Sequence, residues 1–441
     1  MEHDAATPLD FAEKSGAKIT EHRLANGLAV LLAERHSDPV VTAMVWYRVG
    51  SRNEREHEAG VSHFLEHMMF KGSARFAKGE IDRITTTLGG SNNAFTGCDH
   101  TAYWFELASD RWEKALEIEA DRMQHLLLDA KEFDAERAVV LEELAMGLDE
   151  PWRRLTDLVQ STLFLRHPYR RPVIGHADAL KRLSVEEMRD YHRRFYHPGN
   201  ATLVLCGDFD PNDALARVRR HFEPIGAGVP YASADPFRPA EESAPGERRV
   251  QISWADEGKR LCMAWPTVRV ASEDDHALDV ISTVLTGGRL SRLHRRLVVE
   301  QELATSVSTH NDTRVDSGVF WLLAECSQKA DLRRLEASID AELARLADEF
   351  VPQKELARVR SLLEATEAYD HETASDMAEQ LGEFATDAHW KLALRALEHV
   401  LAVDRKEVRD CARRLLARER RVVGWCVPRA SPAKARRGAR R

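Results

Sequence analysis

The chain has 441 residues, 43% hydrophobic and 31% charged, with a formal net charge of -9. Its length exceeds one ordinary core and predicts two or more domains. No apolar run reaches the roughly 18 residues of a membrane-spanning helix, and the negative balance argues against nucleic acid as the main partner. The six cysteines (Cys98, Cys206, Cys262, Cys326, Cys411, Cys426) form no C-x-x-C pair; they read as buried thiols of a reducing compartment. Met1-Glu2-His3-Asp4-Ala5 has no basic region leading into an apolar stretch. A cytoplasmic location is therefore expected, or a periplasmic one if the start is truncated.

Leu28–Leu32 and Val40–Tyr47 are apolar runs that predict two strands, the first preceded by the turn signal Asn26-Gly27. Between Gly60 and Gly72, Phe64, Leu65, Met68 and Met69 recur without a breaker, which predicts a helix. On that helix His63 and His67 stand one turn apart on one face, with Glu66 beside them. Two neutral imidazoles at this spacing can hold one zinc ion, and a glutamate between them can take a proton from a water. This H-x-x-E-H string is the inverse of H-E-x-x-H, and both are zinc-peptidase motifs.

A second helix is predicted from Gly79 to Leu88, ended by Gly89-Gly90. Ser91–Leu107 then alternates, breaks and resumes, as two strands would. Asn93-Ala94-Phe95 is polar at its ends, as an edge strand should be. Such an edge can take up an extended peptide as a further strand; an ordinary edge covered by a loop is the alternative. Helices follow over Arg111–Leu128 and from Asp134 to about Leu148, with Asp134 as cap and Val139-Val140 as the buried stripe. Glu136 and Glu143, two turns apart, share a face from which Glu142 points away. Glu143 is thus the better candidate for a metal ligand, against a solvated acidic face for both.

Further helices are expected over Thr156–Arg166 and Ser184–Phe195, the latter opening on a capping box, and Asn200–Asp208 is a buried strand. His167, His176, His192 and His197 read as loop or surface histidines. Residues 226–248, rich in Pro, Gly, Ala and Ser, predict a linker. After it the pattern restarts. Trp321 stands where Trp104 stood, and Arg409-Asp410-x-x-Arg413-Arg414 echoes Arg189-Asp190-x-x-Arg193-Arg194 about 220 positions on, which predicts a duplication. The halves are residues 1–225, with the motif, and 249–428, whose corresponding region Ala277–Ile281 lacks it. Residues 429–441 form a basic tail that reads as disordered.

The run Gly60–Gly72, the downstream Glu136-Arg137-x-Val139-Val140-x-x-Glu143, Gly89-Gly90-Ser91-x-Asn93-Ala94-Phe95-Thr96 and Tyr196-His197-Pro198-x-Asn200 together resemble the pitrilysin/insulinase family of zinc peptidases. The resemblance is closest to short-chain members similar to the mitochondrial processing peptidase beta subunit. It implies an α+β fold of two homologous domains, each a mostly antiparallel sheet with helices packed on it, closing as a clam around a peptidase chamber. By the same resemblance His63, His67 and Glu143 are zinc ligands, Glu66 is the general base and Glu136 a supporting carboxylate. Asn93, Ala94 and Phe95 lie on the substrate strand, and the implied reaction is endoproteolysis of peptides or unfolded segments.

One departure stands out. The family commonly carries a run like R-E-x-x-G-L-A-Y-S-V in the second half, whose Arg and Tyr contact substrate; here Val298 and Thr305 occupy those positions. Neither replaces a charged donor or a phenol. The expectation is a heterodimer whose partner subunit supplies the pair, with a homodimer or compensation by Arg295 or Arg296 as alternatives. The competing reading is a non-catalytic structural or peptide-binding subunit of the same fold.

Overall fold

A computed structural model describes residues 17–229, 246–369 and 371–429. They divide into two compact units, each built on one sheet.

The first unit draws on residues 17–144, 171–229, 366–369 and 371–395. Its strands are β1 (Lys18–Arg23), β2 (Ala29–Glu34), β3 (Val40–Tyr47), β4 (Ser91–Thr96), β5 (Thr101–Ala108) and β6 (Ala201–Gly207), arranged β1-β2-β6-β3-β5-β4. All neighbours are antiparallel except the β2/β6 pair. The near-continuous apolar runs of β3 and β6 have a simple cause: both sheet faces are covered. Val41, Ala43, Val45 and Tyr47 join one core with helices α1 (Val61–Met68), α2 (Glu113–His125) and α3 (Ala130–Leu148). Met44 and Trp46 turn to the other face.

The second unit draws on residues 145–170, 246–365 and 396–429. Helix α4 (Pro151–Leu163) belongs to it and packs on its sheet, at Gly424, where a Cβ would come within 2.5 Å of Val159 Cγ2. That sheet runs β7-β11-β8-β10-β9, from β7 (Arg248–Trp254), β8 (Lys259–Pro266), β9 (Ala304–Asp312), β10 (Val319–Cys326) and β11 (Val422–Pro428). As in the first unit, one parallel pair, β7/β11, leads into antiparallel neighbours. The duplication extends to register: Asn93 pairs with Trp104, and His310 with Trp321. Helices α5 (Val185–Phe195) and α8 (Arg405–Leu415) both open on capping boxes, at Ser184/Glu187 and Asp404/Glu407. Helix α6 (Glu273–Thr286), which carries Ala277–Ile281, packs on β9 as α1 packs on β4.

Each unit thus closes the second face of its sheet with a helix from the other half of the sequence. In the first unit this is α7 (Ala374–Asp387), whose Met377, Ala378 and Leu381 cover Met44, Trp46 and Val204. Gly382 lets it approach: a Cβ there would lie 2.0 Å from Trp46 Nε1.

Several sequence expectations are corrected. Helix α3 starts at Ala130, four residues before Asp134, because Asp129 Oδ1 accepts the N–H groups of Lys131 (2.9 Å) and Glu132 (3.2 Å). Val140 is fully buried but Val139 is 49% exposed. Helix α4 begins at Pro151, capped by the Glu150 carboxylate. His167, His192 and His197 are buried rather than superficial, and burial pushes His192 down to about 4. Of the six cysteines, all but the half-buried Cys98 are buried, and none is joined in a disulfide. Most of the expected linker and nearly all of the basic tail lie outside the described residues. Among the described residues no helix is long and apolar enough to cross a membrane.

Candidate metal centre

Helix α1 is held from its N-terminus. Gly60 adopts φ 97°, with its Cα against Ile174 O, where a Cβ would sit at 2.5 Å. The Glu54 carboxylate then accepts the free N–H groups of Gly60 and Ser62, both at 2.9 Å. Glu54 is only 2% exposed, and burial raises it to about 7 against those two donors. Val61, Phe64, Leu65 and Met68 sink into the core. His63, Glu66 and His67 are left on the half-exposed face, as the helical period requires.

Glu143 of α3 meets both rings. Its Oε1 lies 3.6 Å from His63 Nε2 and its Oε2 3.6 Å from His67 Nε2. Two ligand atoms each about 2.05 Å from a tetrahedral ion must stand roughly 3.3 Å apart, so the spacing fits one zinc after a small contraction. Among the described residues, His63, His67 and Glu143 are the one group of three or more His, Cys, Asp or Glu side chains converging in this way. Glu142 is exposed.

His67 Nδ1–H donates to Glu136 Oε1 at 2.9 Å, which leaves Nε2 with its lone pair toward Glu143. Lys71 Nζ, one turn beyond His67, holds Glu136 Oε2 at 2.6 Å. Burial pushes the Glu136 carboxyl up, but Lys71 and His67 outweigh it and keep it below the usual carboxylate range. Lys71 was not foreseen as a partner, although its i+4 spacing from His67 carries the signal. Glu66 is raised by burial, opposed by a hydrogen bond that Thr96 Oγ1 donates to its Oε2 at 2.5 Å.

Thr96 ends β4, which among the described residues pairs with β5 alone and so presents a free edge. Ala94 packs against the core beneath α1, whereas Phe95 turns to the opposite face and meets Trp46 edge-on at 5.4 Å. The Asn93 side chain takes up the Ala94 N–H at 2.9 Å.

In the second unit Val298 packs on the core, and Thr305 Oγ1 donates to Glu325 O at 3.3 Å. Arg296 pairs with Glu342 and Arg295 with Glu300. Glu302, where the family run has glycine, is held at φ 51°.

Residues 29–177 match the sequence profile of insulinase, peptidase family M16, and residues 182–363 match that of the peptidase M16 inactive domain. An uncharacterized zinc protease of Streptomyces coelicolor is 28% identical over 403 residues, covering 90% of this chain and 86% of the relative. One from Mycobacterium tuberculosis is 31% identical, with 85% of each chain covered. The crystal structure of a protease from Helicobacter pylori superposes with TM-score 0.90 at 26% identity, covering 93% of this chain and 100% of that one. A peptidase M16 inactive domain from Pseudomonas fluorescens shares the fold, with TM-score 0.83 at 18% identity and 94% and 98% coverage. With matching profiles over most of its length and a two-domain α+β fold to go with them, this chain belongs to peptidase family M16, the insulinase family.

Proposed function

We propose that the chain is a zinc endopeptidase whose metal is held by His63, His67 and Glu143. The observation that carries this is the convergence of two imidazoles from α1 and one carboxylate from α3 on a common point, with a second carboxylate, Glu66, beside it. A bound zinc ion supplies Lewis acidity, lowering the pKa of a water and polarising a peptide carbonyl. Glu66 acts as the base: it takes the proton of the attacking water and delivers it to the departing amine. Glu136 orients His67. The free edge of β4 binds extended substrate through the backbone of Asn93, Ala94 and Phe95; the Phe95 side chain, on the far face, takes no part. Metal analysis and cleavage of a fluorogenic peptide test this reading. Glu66→Gln should keep zinc and peptide binding while cleavage vanishes, and undiminished cleavage would refute the base assignment.

Val298 and Thr305 favour a second element of the proposal: this chain is the metal-bearing subunit of a heterodimer, and its homologous partner brings the arginine and tyrosine. Full turnover by the isolated chain would remove the need for that partner. Zinc binding with no turnover, alone or with the candidate partner, would instead support a peptide-binding subunit without catalysis.

A further inference from the structure

The Thr96 hydroxyl is a donor held in place from several sides. Its backbone is paired with Thr101 across the β4–β5 hairpin, and Thr101 Oγ1 is itself tied to Val49 O at 2.8 Å. The hairpin turn is clamped by backbone bonds, Ser51 N–H to Gly97 O at 3.2 Å and Arg52 N–H to Cys98 O at 3.0 Å, and by the buried Arg52–Asp99 ion pair at 3.0 Å. Gly50 permits this closeness, since a Cβ there would fall 2.5 Å from Cys98 O. On the far face His100 stacks edge-on against Trp46 at 5.0 Å and meets Asp387 of α7 at 3.1 Å. With the backbone so constrained, only χ1 of a β-branched side chain remains to place Oγ1.

That oxygen lies 2.5 Å from Glu66 Oε2. A glutamate on a half-exposed helix face has three torsions to lose before it can serve as a base, and an ionised carboxylate has two oxygens to offer. A donor fixed on Oε2 removes that freedom and leaves Oε1 for a water. We infer that Thr96 is a positioning residue for the reaction: its hydroxyl aims the Glu66 carboxylate and ties it to the strand along which substrate would lie. This rests on the reading of Glu66 as the base given above. The two acts coincide because one strand end carries both the donor and the free peptide edge.

The test compares Thr96→Val, Thr96→Ser, Thr96→Ala and Glu66→Gln as zinc-loaded full-length proteins, together with any partner subunit that activity requires. It measures kcat and KM on a fluorogenic peptide, zinc per chain and melting temperature. Thr96→Val, which keeps the shape and removes the donor, should lose roughly 10- to 100-fold in kcat, with KM, zinc content and melting temperature close to wild type. Thr96→Ser, which restores the hydroxyl, should recover most of the rate. Should Thr96→Val fold poorly, Thr96→Ala should show the same kcat loss. The inference is overturned by wild-type kcat in both Val and Ala variants, by loss of zinc or of melting temperature in step with activity, by a change confined to KM, or by a Ser variant as slow as Val. Failure of the underlying reading looks different: Glu66→Gln itself would turn over at the wild-type rate.

Discussion

His67 Nδ1 lies 2.9 Å from Glu136 Oε1, and this one bond settles which ring nitrogen faces Glu143. Carboxylates that hold a ligating histidine in this way sustain metal affinity at a distance. Glu136→Ala should weaken zinc binding by about 10- to 100-fold in competition with a chromogenic chelator. Glu136→Gln, which still offers an acceptor oxygen but loses the pairing with Lys71, should fall between that variant and wild type.

Glu143 and Glu142 are adjacent in sequence and differ by about 100° around α3. Glu143→Gln should therefore abolish stoichiometric zinc, whereas Glu142→Gln should retain it, as read by metal analysis of the purified proteins. A chelator should likewise strip peptidase activity from the wild-type chain assayed with any partner subunit that activity requires, and added zinc should restore it.

Within the first unit, Glu119 and Arg122 of α2 form a fully buried ion pair, with Arg122 Nε 2.8 Å from Glu119 Oε2 and its guanidinium 4.3 Å from the centre of the Tyr103 ring. Removing one partner strands a charge away from water. Glu119→Ala should destabilise the unit by roughly 3–5 kcal/mol in denaturant unfolding. Replacing both members with apolar residues of similar volume should lose much less.

Half-buried between the β4–β5 hairpin and α7, His100 faces Asp387, with Glu383, Glu379 and Asp99 acting at longer range. Burial lowers its basicity, but Asp387 and the other carboxylates outweigh it and leave the imidazole above its ordinary 6.5. A histidine raised in the folded state contributes stability that is complete below its unfolded value and fades as pH rises through the folded one. Asp387→Asn should therefore lower the melting temperature more at pH 5.5 than at pH 8.5. A difference of about 1 kcal/mol corresponds to roughly 2–4 °C for a unit of this size.

Where structure depends on near neighbours, the chain is readable. His63, Glu66 and His67 fall on one face because 3.6 residues make a turn, and the same phase separates Glu143 from Glu142. The edge placement of β4 followed from its polar ends and the glycine pair before it. The start of α3 did not follow, because Asp129 and Asp134 are equally good caps by residue type. The turn before Asp129 runs through Leu128 at φ 47°, a left-handed residue that no glycine announces, whose carbonyl is held by Arg189 from α5.

The primary structure on its own determined that His63, Glu66 and His67 share a helical face, that the pattern repeats, and that its motifs are those of the family, since each rests on spacing along one element or on repetition. Tertiary packing alone decided that α4 and α7 change places between the two sheets and that His167, His192 and His197 are buried. It also decided that Phe95 turns from the metal helix while Thr96 reaches Glu66. An amphipathic helix states that it must cover an apolar surface, and an alternating strand that its faces differ. Which surface, and which face, is set by contacts between residues hundreds of positions apart.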